Sequence, residues 1–329
     1  MRGPDQVQGI ADYDFIRSLG SGNHGHFFLA RCPRRLPLDL EHVAVKVLHA
    51  ESSEVAFRRA TRELAAFAAV RSPYLVTPID AGRQDGAFYY SMEYLPGGSL
   101  ADPAAPVSRA EAIRAVAAAA RAAAAMHAAG IAHRDIKPGN VLLHPGGGRL
   151  SDLGLSQVFT EGVTVTGMGG LDAIEYVDPA LLLGGPPGPA SDVWSLGVLL
   201  HRVVSGVGVH GDLPGSDGLL ALRRVLSAAP RISDTLPGPV AALVRECLGP
   251  AEQRPGAAAV GDRLDALPAS GDGRPPSDAD RPGAAAVGDR LGGLPASGDG
   301  RPPSDGDRLG AAAVGDRLGG LPDADGGRS

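Results

Sequence analysis

The stretch IAHRDIKPGNVLL, residues 131–143, places an arginine, an aspartate, a lysine and an asparagine within seven positions. It then returns at once to the apolar run Val141, Leu142 and Leu143. Polar residues between apolar ones predict a pair of buried strands joined by a loop that carries chemistry. The surrounding sequence must then supply the partners that this chemistry needs.

Composition narrows the possible partners. The 329 residues carry a net charge of −6, with 43% hydrophobic and 21% charged residues, which is typical of a globular protein with a sizeable core. The mild acidity offers no broad basic field, so we expect no nucleic-acid partner. Cys32 and Cys247 are too few for a disulfide framework or a four-cysteine zinc site, which favours a reducing, cytoplasmic setting. We expect no signal peptide, because the N-terminal stretch MRGPDQVQGIADYDF lacks an apolar core, and no membrane span, because Arg121 and His127 interrupt the most apolar long run.

The C-terminal part of the chain is repetitive. The sequence RPGAAAVGDRLDALPASGDGRPPSDAD begins at Arg254, restarts at Arg281 and restarts again, shortened, at Arg308. These 27-residue units are rich in Gly, Pro, Asp and Ala and contain no aromatic residue, so they hold too little apolar surface to offset the entropy of ordering. We therefore predict a disordered tail over residues 268–329.

The first copy of the repeat has a different expected role. Pro255 suits a helix start, and Val260, Leu264 and Leu267 follow at helical spacing. We predict that this copy forms the last helix of a folded domain over residues 13–267, preceded by an extension over residues 1–12. The later copies carry RLGGL in place of RLDAL, which weakens the same helix.

Strand patterns come first along the domain and helix patterns later. The segments YDFIRSLGSG, GHFFLARC, HVAVKVLHA, YLVTPIDAG and AFYYSMEYL read as strands. Between the third and fourth, SEVAFRRATRELAAFAAV predicts a helix whose apolar stripe contains Val55, Leu64, Phe67 and Val70. Ser108 followed by Glu111 predicts a capping box before an alanine-rich helix that Gly130 ends. This segregation predicts an α+β chain in two lobes.

The glycine-rich stretch LGSGNHGHF contains Gly20, Gly22 and Gly25 in a G-x-G-x-x-G arrangement. Such a stretch lets backbone approach a polyphosphate, although a chain with 47 glycines also produces similar loops for purely structural reasons. It lies between two strand patterns and does not open a helix, so a flap over nucleotide phosphates is the better interpretation.

Two charged residues further along could act together. Lys46 in VAVK has apolar neighbours on an expected central strand, where an ammonium needs an anion. The alternative is an edge strand from which the side chain reaches water. Glu63 on the following helix would be read as a surface residue if considered alone. Together they could form an ion pair that directs the ammonium towards phosphate oxygens.

The order of motifs resembles the eukaryotic-type protein kinase family, including its bacterial serine/threonine kinases. The resemblance covers roughly residues 13–265 and rests on GSGNHG, VAVK, Glu63, MEYLPGGSL, HRDIKPGN, DLG and SDVWSLG. It implies a bilobal fold, with a β-sheet N-lobe and one main helix over about residues 13–92. A hinge over about residues 93–98 and a mostly helical C-lobe over about residues 99–267 would follow.

The resemblance also implies roles for the opening stretch. Asp135 would orient the substrate hydroxyl and accept its proton, and Lys137 would steady the transferring phosphate. Asn140 and Asp152 would hold Mg²⁺, or Mn²⁺ in its place. The simpler reading, a polar turn between strands, leaves the joint presence of Asp, Lys and Asn unexplained.

The resemblance places ATP between the lobes. Met92 would border the adenine, backbone groups near Glu93 and Leu95 would bind the base, and the glycine flap with Lys46 and Glu63 would cover the phosphates. The full set of expected nucleotide-binding residues is Leu19, Gly20, Ser21, Gly22, Asn23, His24, Gly25, Phe27, Ala44, Lys46, Glu63, Met92, Glu93 and Leu95.

Two further family features concern the C-lobe core. Asp192 in SDVWSLG would brace the catalytic loop from a buried helix, although it could also be a simple helix N-terminal acid. His133 and Phe67 would form an apolar column with Leu153, which replaces the usual Phe of the metal-binding motif.

The chain departs from the family pattern in GGLDAIEYVDPALL. Ala173 takes the place of a Thr that normally links the catalytic Asp and Lys, and Ala180 takes the place of a Glu that normally pairs with a late arginine, here Arg254. A buried guanidinium without a partner would be expensive, so we predict that Asp178 or Glu175 pairs with Arg254.

Arg134, beside the expected catalytic Asp, could clamp a phosphorylated activation loop. Thr160, Thr164 and Thr166 are the candidate autophosphorylation sites, although each could be an ordinary loop residue.

The leading functional prediction is a serine/threonine protein kinase that uses ATP and Mg²⁺ to phosphorylate protein substrates. A pseudokinase scaffold is the alternative, motivated by Ala173 and Ala180. A small-molecule phosphotransferase ranks third, because IKPGN and DVWSLG count against it.

Overall fold

The fold is described from a computed structural model, which covers residues 9–22, 25–48, 54–152, 171–214 and 217–267. The N-terminal part is a five-stranded antiparallel sheet in the order β1-β2-β3-β5-β4. Its strands are β1 (Phe15–Gly22), β2 (Gly25–Arg31), β3 (His42–Leu48), β4 (Pro78–Gln84) and β5 (Ala87–Glu93). These positions agree with the five strand patterns of the sequence.

One helix, α1 (Glu54–Ala69), connects β3 to β4. Leu64 and Phe67 are buried in the core as predicted, but Val55 is 77% exposed, so its assignment to the apolar stripe was wrong. Nine residues separate Val55 from Leu64, which corresponds to two and a half helical turns. Val55 therefore lies on the opposite side of the helix from the core.

The C-terminal part is helical. Its helices are α2 (Arg109–Ala128), α3 (Pro179–Leu182), α4 (Pro189–Ser205), α5 (Gly218–Ser227), α6 (Gly238–Cys247) and α7 (Ala257–Asp265). The predicted capping box at Ser108 and Glu111 begins α2, whose buried residues are mostly alanines. The small alanine side chains let α2 pack against α4 and α7 at once. The predicted α+β fold in two lobes is confirmed.

The stretch IAHRDIKPGNVLL, residues 131–143, is not a pair of strands, so that prediction was wrong. Residues 131–137 are irregular, Pro138–Asn140 form a 3-10 turn, and β6 (Val141–His144) then pairs with β7 (Gly147–Leu150). The strand expected before the loop is absent because the amides of His133 and Arg134 donate to the side chain of Asp192.

The two lobes are joined by backbone hydrogen bonds as well as by the connecting chain. The amide of Val76 donates to the carbonyl of Leu150 at 3.0 Å, and the amide of Leu150 donates to that of Tyr74 at 2.8 Å. These bonds place the end of β7, and Asp152 two residues later, under the sheet. Within the described ranges, no helix has the length and apolar character needed to cross a bilayer.

One buried histidine lies in the loop after α4. His210 is 6% exposed, and within the part of the chain that the structure describes neither ring nitrogen has a hydrogen-bond partner. Burial, together with the charge of Arg224, lowers the pKa of this imidazole, so it is held in its neutral form. A buried polar ring without partners destabilises the fold.

We expect His210→Phe to stabilise the protein by about 1–2 kcal/mol at pH 7.5, because Phe fills similar space without unsatisfied nitrogens. The folded-state pKa is depressed, so wild type loses stability as pH falls below about 6.5, where the unfolded histidine takes up a proton. The advantage of the variant should therefore grow below that pH. Denaturant unfolding between pH 5.5 and 7.5 measures both effects, and an advantage that does not change with pH would contradict this account.

Candidate active site

The sheet lobe and the helical lobe meet at a buried ion pair. The ammonium of Lys46 lies 2.5 Å from each carboxylate oxygen of Asp152, and Lys46 is only 6% exposed. The strand β3 that carries Lys46 lies between β2 and β5, and the ring of Phe27 packs 4.8 Å from the ammonium. The alternative of an edge-strand lysine reaching water is therefore wrong.

A tyrosine that the sequence analysis did not single out completes this pair. The hydroxyl of Tyr90 donates to Oδ1 of Asp152 at 2.6 Å. Burial raises the pKa of Tyr90 well above its usual value, and the neighbouring Asp152 carboxylate adds to that effect, so the hydroxyl keeps its proton and remains a donor. A sequence signal existed, because Tyr90 lies two positions before Met92 and therefore shares its face of β5.

The charge of Asp152 is stabilised by its neighbours. Burial alone would raise the pKa of this carboxyl, but the Lys46 ammonium and the hydrogen bonds from Lys46 and Tyr90 outweigh it. The net pKa is lowered, so Asp152 is an anion at neutral pH.

The predicted pair between Lys46 and Glu63 does not form in this structure. Glu63 lies 3.4 Å from Arg59, one turn earlier on α1, and 3.6 Å from Arg134 of the catalytic loop. Asp152 already takes the ammonium with both oxygens, and Glu63, which is partly exposed, has two guanidinium partners of its own. Lys46 therefore pairs with Asp152, whereas Glu63 pairs with arginines.

The loop after α2 brings the three expected catalytic residues together. The Lys137 ammonium lies 2.8 Å from Oδ2 of Asp135. The side-chain amide of Asn140 donates to the same oxygen at 2.9 Å and to the carbonyl of Asp135 at 2.7 Å. Asp135 is thus fixed by two donors while it remains partly exposed at the cleft.

Asp192, near the start of α4, holds this loop from below. Its carboxylate is 1% exposed and accepts hydrogen bonds from the amides of His133 and Arg134 at 2.7 and 2.8 Å. Nε2 of His127 lies 2.7 Å from Oδ2. The predicted brace is confirmed, and it supports an unusual backbone, because Arg134 has a φ of +69°.

The same unfavourable backbone region recurs at Asp152, whose φ is +61°. Non-glycine residues adopt this conformation only where the surroundings enforce it, and such positions cluster at functional sites. Here the preceding residue is held tightly: the amide of Ser151 donates to the carbonyl of Asn140 at 2.8 Å, and its hydroxyl donates to the same oxygen at 3.1 Å. These bonds tie the residue before Asp152 to the catalytic loop.

His133 contributes to this rigidity as a neutral ring. It is fully buried, and burial lowers its pKa despite the nearby carboxylates. Nε2 lies 3.0 Å from the carbonyl of Ser151 and Nδ1 lies 3.3 Å from the amide of Asp135, so Nε2 carries the proton. Phe67 is also buried, whereas Leu153, the third member of the expected column, lies outside the described residues.

The glycine-rich stretch forms a hairpin between two strands, as predicted. Gly20 pairs with Phe27 and Gly22 pairs with Gly25 across β1 and β2. A Cβ on Gly25 would lie 2.1 Å from the carbonyl of Val47, so only glycine allows β3 to pass this close. Asn23 and His24 lie outside the described residues, while Ser21 is exposed opposite His26.

Two of the residues expected around the adenine lie on the neighbouring strands β3 and β5. Ala44 on β3 lies directly opposite Met92 on β5, and both are buried. The carboxylate of Glu93 is occupied, because it accepts from the amide of Thr77 at 2.7 Å and pairs with Arg149. The backbone amide of Glu93 is occupied as well, since it donates to the carbonyl of Thr77 at 3.1 Å. Among the other expected nucleotide-binding residues, Leu19, Phe27 and Leu95 are partly buried and pack on the same core.

The donor set suits a magnesium site completed by a substrate. No cluster of three or more His, Cys, Asp or Glu side chains arranged to hold a metal occurs in the described ranges. Asp152 and Asn140 nevertheless supply a carboxylate and an amide oxygen from adjoining segments. Mg²⁺ is usually held by one or two such groups together with phosphate oxygens and water, so these residues fit that ion.

Asp178 supplies the carboxylate that is missing because Ala180 replaces the usual Glu of the family. Arg254 lies 2.5 Å from Oδ2 of Asp178, and each side chain is 5% exposed. Arg254 also donates to the carbonyls of Ala190 and Gly249 and lies over the ring of Trp194. The prediction that Asp178 or Glu175 replaces the missing Glu is confirmed for Asp178.

Glu175, the other candidate partner of Arg254, has a different arginine partner. Glu175 pairs at 3.6 Å with Arg202, and Ala173 is buried where the family has a hydroxyl. Thr160, Thr164 and Thr166 lie outside the described residues, so their phosphorylation stays a prediction.

The sequence of the chain is similar to those of known protein kinases. A family model described as the protein kinase domain matches residues 13–259. The serine/threonine-protein kinase PknJ of Mycobacterium tuberculosis is 33% identical over 244 residues, which covers 71% of this chain and 41% of PknJ. PrkC of Bacillus subtilis is 28% identical over 233 residues, covering 68% of this chain and 35% of PrkC. The chain thus spans well under half the length of these relatives.

A solved structure has the same fold. The PknI kinase domain of Mycobacterium tuberculosis superposes with a TM-score of 0.59 at 21% identity, covering 79% of this chain and 97% of that domain.

The Arg254–Asp178 pair generates a stability prediction. We expect Asp178→Asn to destabilise the protein by about 3–5 kcal/mol, because it leaves a buried guanidinium without its counter-charge. The exposed pair between Arg263 and Glu246 is a matched control, and Glu246→Gln should change stability by less than about 1 kcal/mol. Urea unfolding of both variants tests the difference, and equal effects would show that Asp178 does not balance the Arg254 charge.

Proposed function

Because the chain belongs to the protein kinase family, we propose that it transfers the γ-phosphate of ATP to serine or threonine hydroxyls of proteins. The observation that carries the proposal is the convergence at one cleft of Lys46 and Asp152 with Asp135, Lys137 and Asn140. Phosphoryl transfer requires positioning and neutralisation of spreading negative charge, and these groups supply both. Lys137 after Asp135 favours Ser/Thr specificity by family analogy.

Each residue has a distinct part in the proposed reaction. Asp135, fixed by Lys137 and Asn140, orients the acceptor hydroxyl and takes its proton. Lys137 then remains beside the γ-phosphate as a positive charge. Lys46 binds the phosphates from the sheet lobe. Asp152 and Asn140 would hold Mg²⁺, or Mn²⁺ in its place, which would supply positive charge to the phosphates when bound.

The contact between Glu63 and Arg134 suggests how the site is controlled. Arg134 precedes Asp135 and lies 3.6 Å from the partly exposed carboxylate of Glu63. We propose that a phosphate on Thr160, Thr164 or Thr166 competes with Glu63 for this guanidinium, since it carries about −1.5 to −2 charges against one. Glu63 would then be free to approach Lys46.

The rival functions have different support. A pseudokinase scaffold was motivated by Ala173 and Ala180, but Asp178 takes over the pairing with Arg254, and the relatives named above carry kinase names. A small-molecule phosphotransferase would share the cleft but does not account for the IKPGN and DVWSLG motifs. We propose a cytoplasmic setting on the strength of the two unpaired cysteines.

Replacement of the proposed base tests the enzyme directly. We expect Asp135→Asn to lower phosphate transfer from radiolabelled ATP to a generic protein acceptor by roughly 100-fold or more, because the amide cannot accept the hydroxyl proton. Fluorescent nucleotide binding should persist. Asp102→Asn, the same change at an exposed position, should leave both signals unchanged. Absence of transfer by wild type and variant alike would support the scaffold instead.

Tyr90 should influence turnover through Asp152. We expect Tyr90→Phe to reduce kcat by roughly fivefold, equivalent to about 1 kcal/mol, because one of the hydrogen bonds that orient the carboxylate is lost. The neighbouring Tyr89→Phe, on the other face of β5, is the matched control and should leave kcat unchanged. Steady-state kinetics at several magnesium concentrations measure the effect, and equal kcat values for the two variants would remove Tyr90 from the site.

A further inference from the structure

The last described helix fills a groove on the helical lobe. Within α7, Val260 is fully buried and Leu264 is 2% exposed against α2 and α4. Gly261 allows the close approach, because a Cβ there would lie 3.0 Å from Cγ of Arg121. This groove is therefore shaped for one particular pattern of small and branched side chains.

Charged side chains at the edge of the groove pair with oppositely charged residues of α7. Arg121 of α2 lies 3.1 Å from Asp262 and 2.5 Å from Asp265. On the other side, Arg263 pairs with Glu246 of α6 at 2.5 Å. A segment that docks here needs an apolar stripe flanked by an acid and a base in adjacent positions.

The chain contains this segment three times. The nine residues GAAAVGDRL at positions 256–264 recur without change at positions 283–291 and 310–318. The copies retain every buried docking residue, together with the aspartate and arginine that meet Arg121 and Glu246. The equivalents in the second repeat are Ala284, Val287, Gly288, Asp289, Arg290 and Leu291.

We propose that the groove formed by α2, α4 and α6 is also a docking site for residues 282–294 of the same chain, which replace residues 255–267 when the first copy leaves. Arg281 would then take the position of Arg254 beside Asp178. The second repeat is the better substitute of the two, because it keeps a proline before the helix, whereas the third has Leu309. It also requires a shorter intervening loop.

The first copy prevails in the intact chain for physical reasons. Only the first copy carries Asp265, which pairs with Arg121, and Ala266, which is the C-cap of α7. The second repeat has Gly292 and Gly293 at these positions. Glycine weakens a helix end, and closing a loop of 27 residues adds an entropic cost. Together these favour the first copy on the order of a thousandfold. The second repeat is a reserve copy that docks once the first is displaced.

The test displaces the first copy within the full chain. Leu264→Asp puts a carboxylate in the apolar groove, which excludes the first copy. Hydrogen exchange with mass spectrometry should then show that amides 257–264 lose protection while amides 284–291 gain at least about tenfold. Adding Leu291→Asp should abolish the gained protection and lower the thermal midpoint further. Leu291→Asp alone should leave the midpoint of the otherwise wild-type chain unchanged.

Several outcomes would overturn the proposal. These are unchanged exchange of amides 284–291 in Leu264→Asp, or equal midpoints with and without Leu291→Asp. Protection that appears at residues 311–318 would assign the groove to the third repeat. Protection that grows with protein concentration would assign it to a second molecule.

Discussion

The arrangement of the cleft depends on one buried ion pair between lobes. Lys46 and Asp152 are each almost inaccessible to water, and each charge would be strongly unfavourable without the other. Their contact therefore ties the orientation of the sheet to the segment that follows β7. Tyr90 adds a hydrogen bond from the neighbouring strand, so the carboxylate is approached from two strands of the same sheet.

A second buried carboxylate performs the equivalent task for the catalytic loop. Asp192 accepts the amides of two successive residues and thereby replaces the strand pairing that the apolar flanks of the loop would favour. The loop can then hold Arg134 in an unfavourable backbone conformation and present Asp135 to the cleft. At both Asp152 and Asp192, a buried carboxylate whose charge is balanced or hydrogen-bonded determines the path of the backbone.

The compensation at Arg254 shows how the family architecture tolerates substitution. The guanidinium is buried between the start of α4 and Gly249, which follows α6, so its need for a carboxylate is independent of which position provides one. Asp178, two residues before the alanine that replaces the usual Glu, reaches it at 2.5 Å and also caps α3 through the amide of Ala180. The physical requirement is retained while the sequence motif is lost.

Some of this site could be read from the sequence because it depends on local chemistry. The glycine pattern between two strand patterns predicts the hairpin of β1 and β2, and the capping box predicts the start of α2. The need to balance a buried charge predicts the partner of Arg254. The partner of Lys46 was misjudged, since a sequence shows which charges exist but not which of two carboxylates lies nearer. Apolar character alone does not place Val55, because the turn angle of the helix sets which side of α1 it faces.

The sequence by itself determined the order of elements, the identity of the chemical groups and the repetition of the docking helix, because propensity, capping and periodicity are local properties. Only the tertiary structure decided that Lys46 meets Asp152 and Tyr90, that Glu63 meets Arg134, and that the repeated segment has a matching groove. Those contacts join residues far apart in the chain, and their selection depends on burial and distance, which exist only after the lobes have packed.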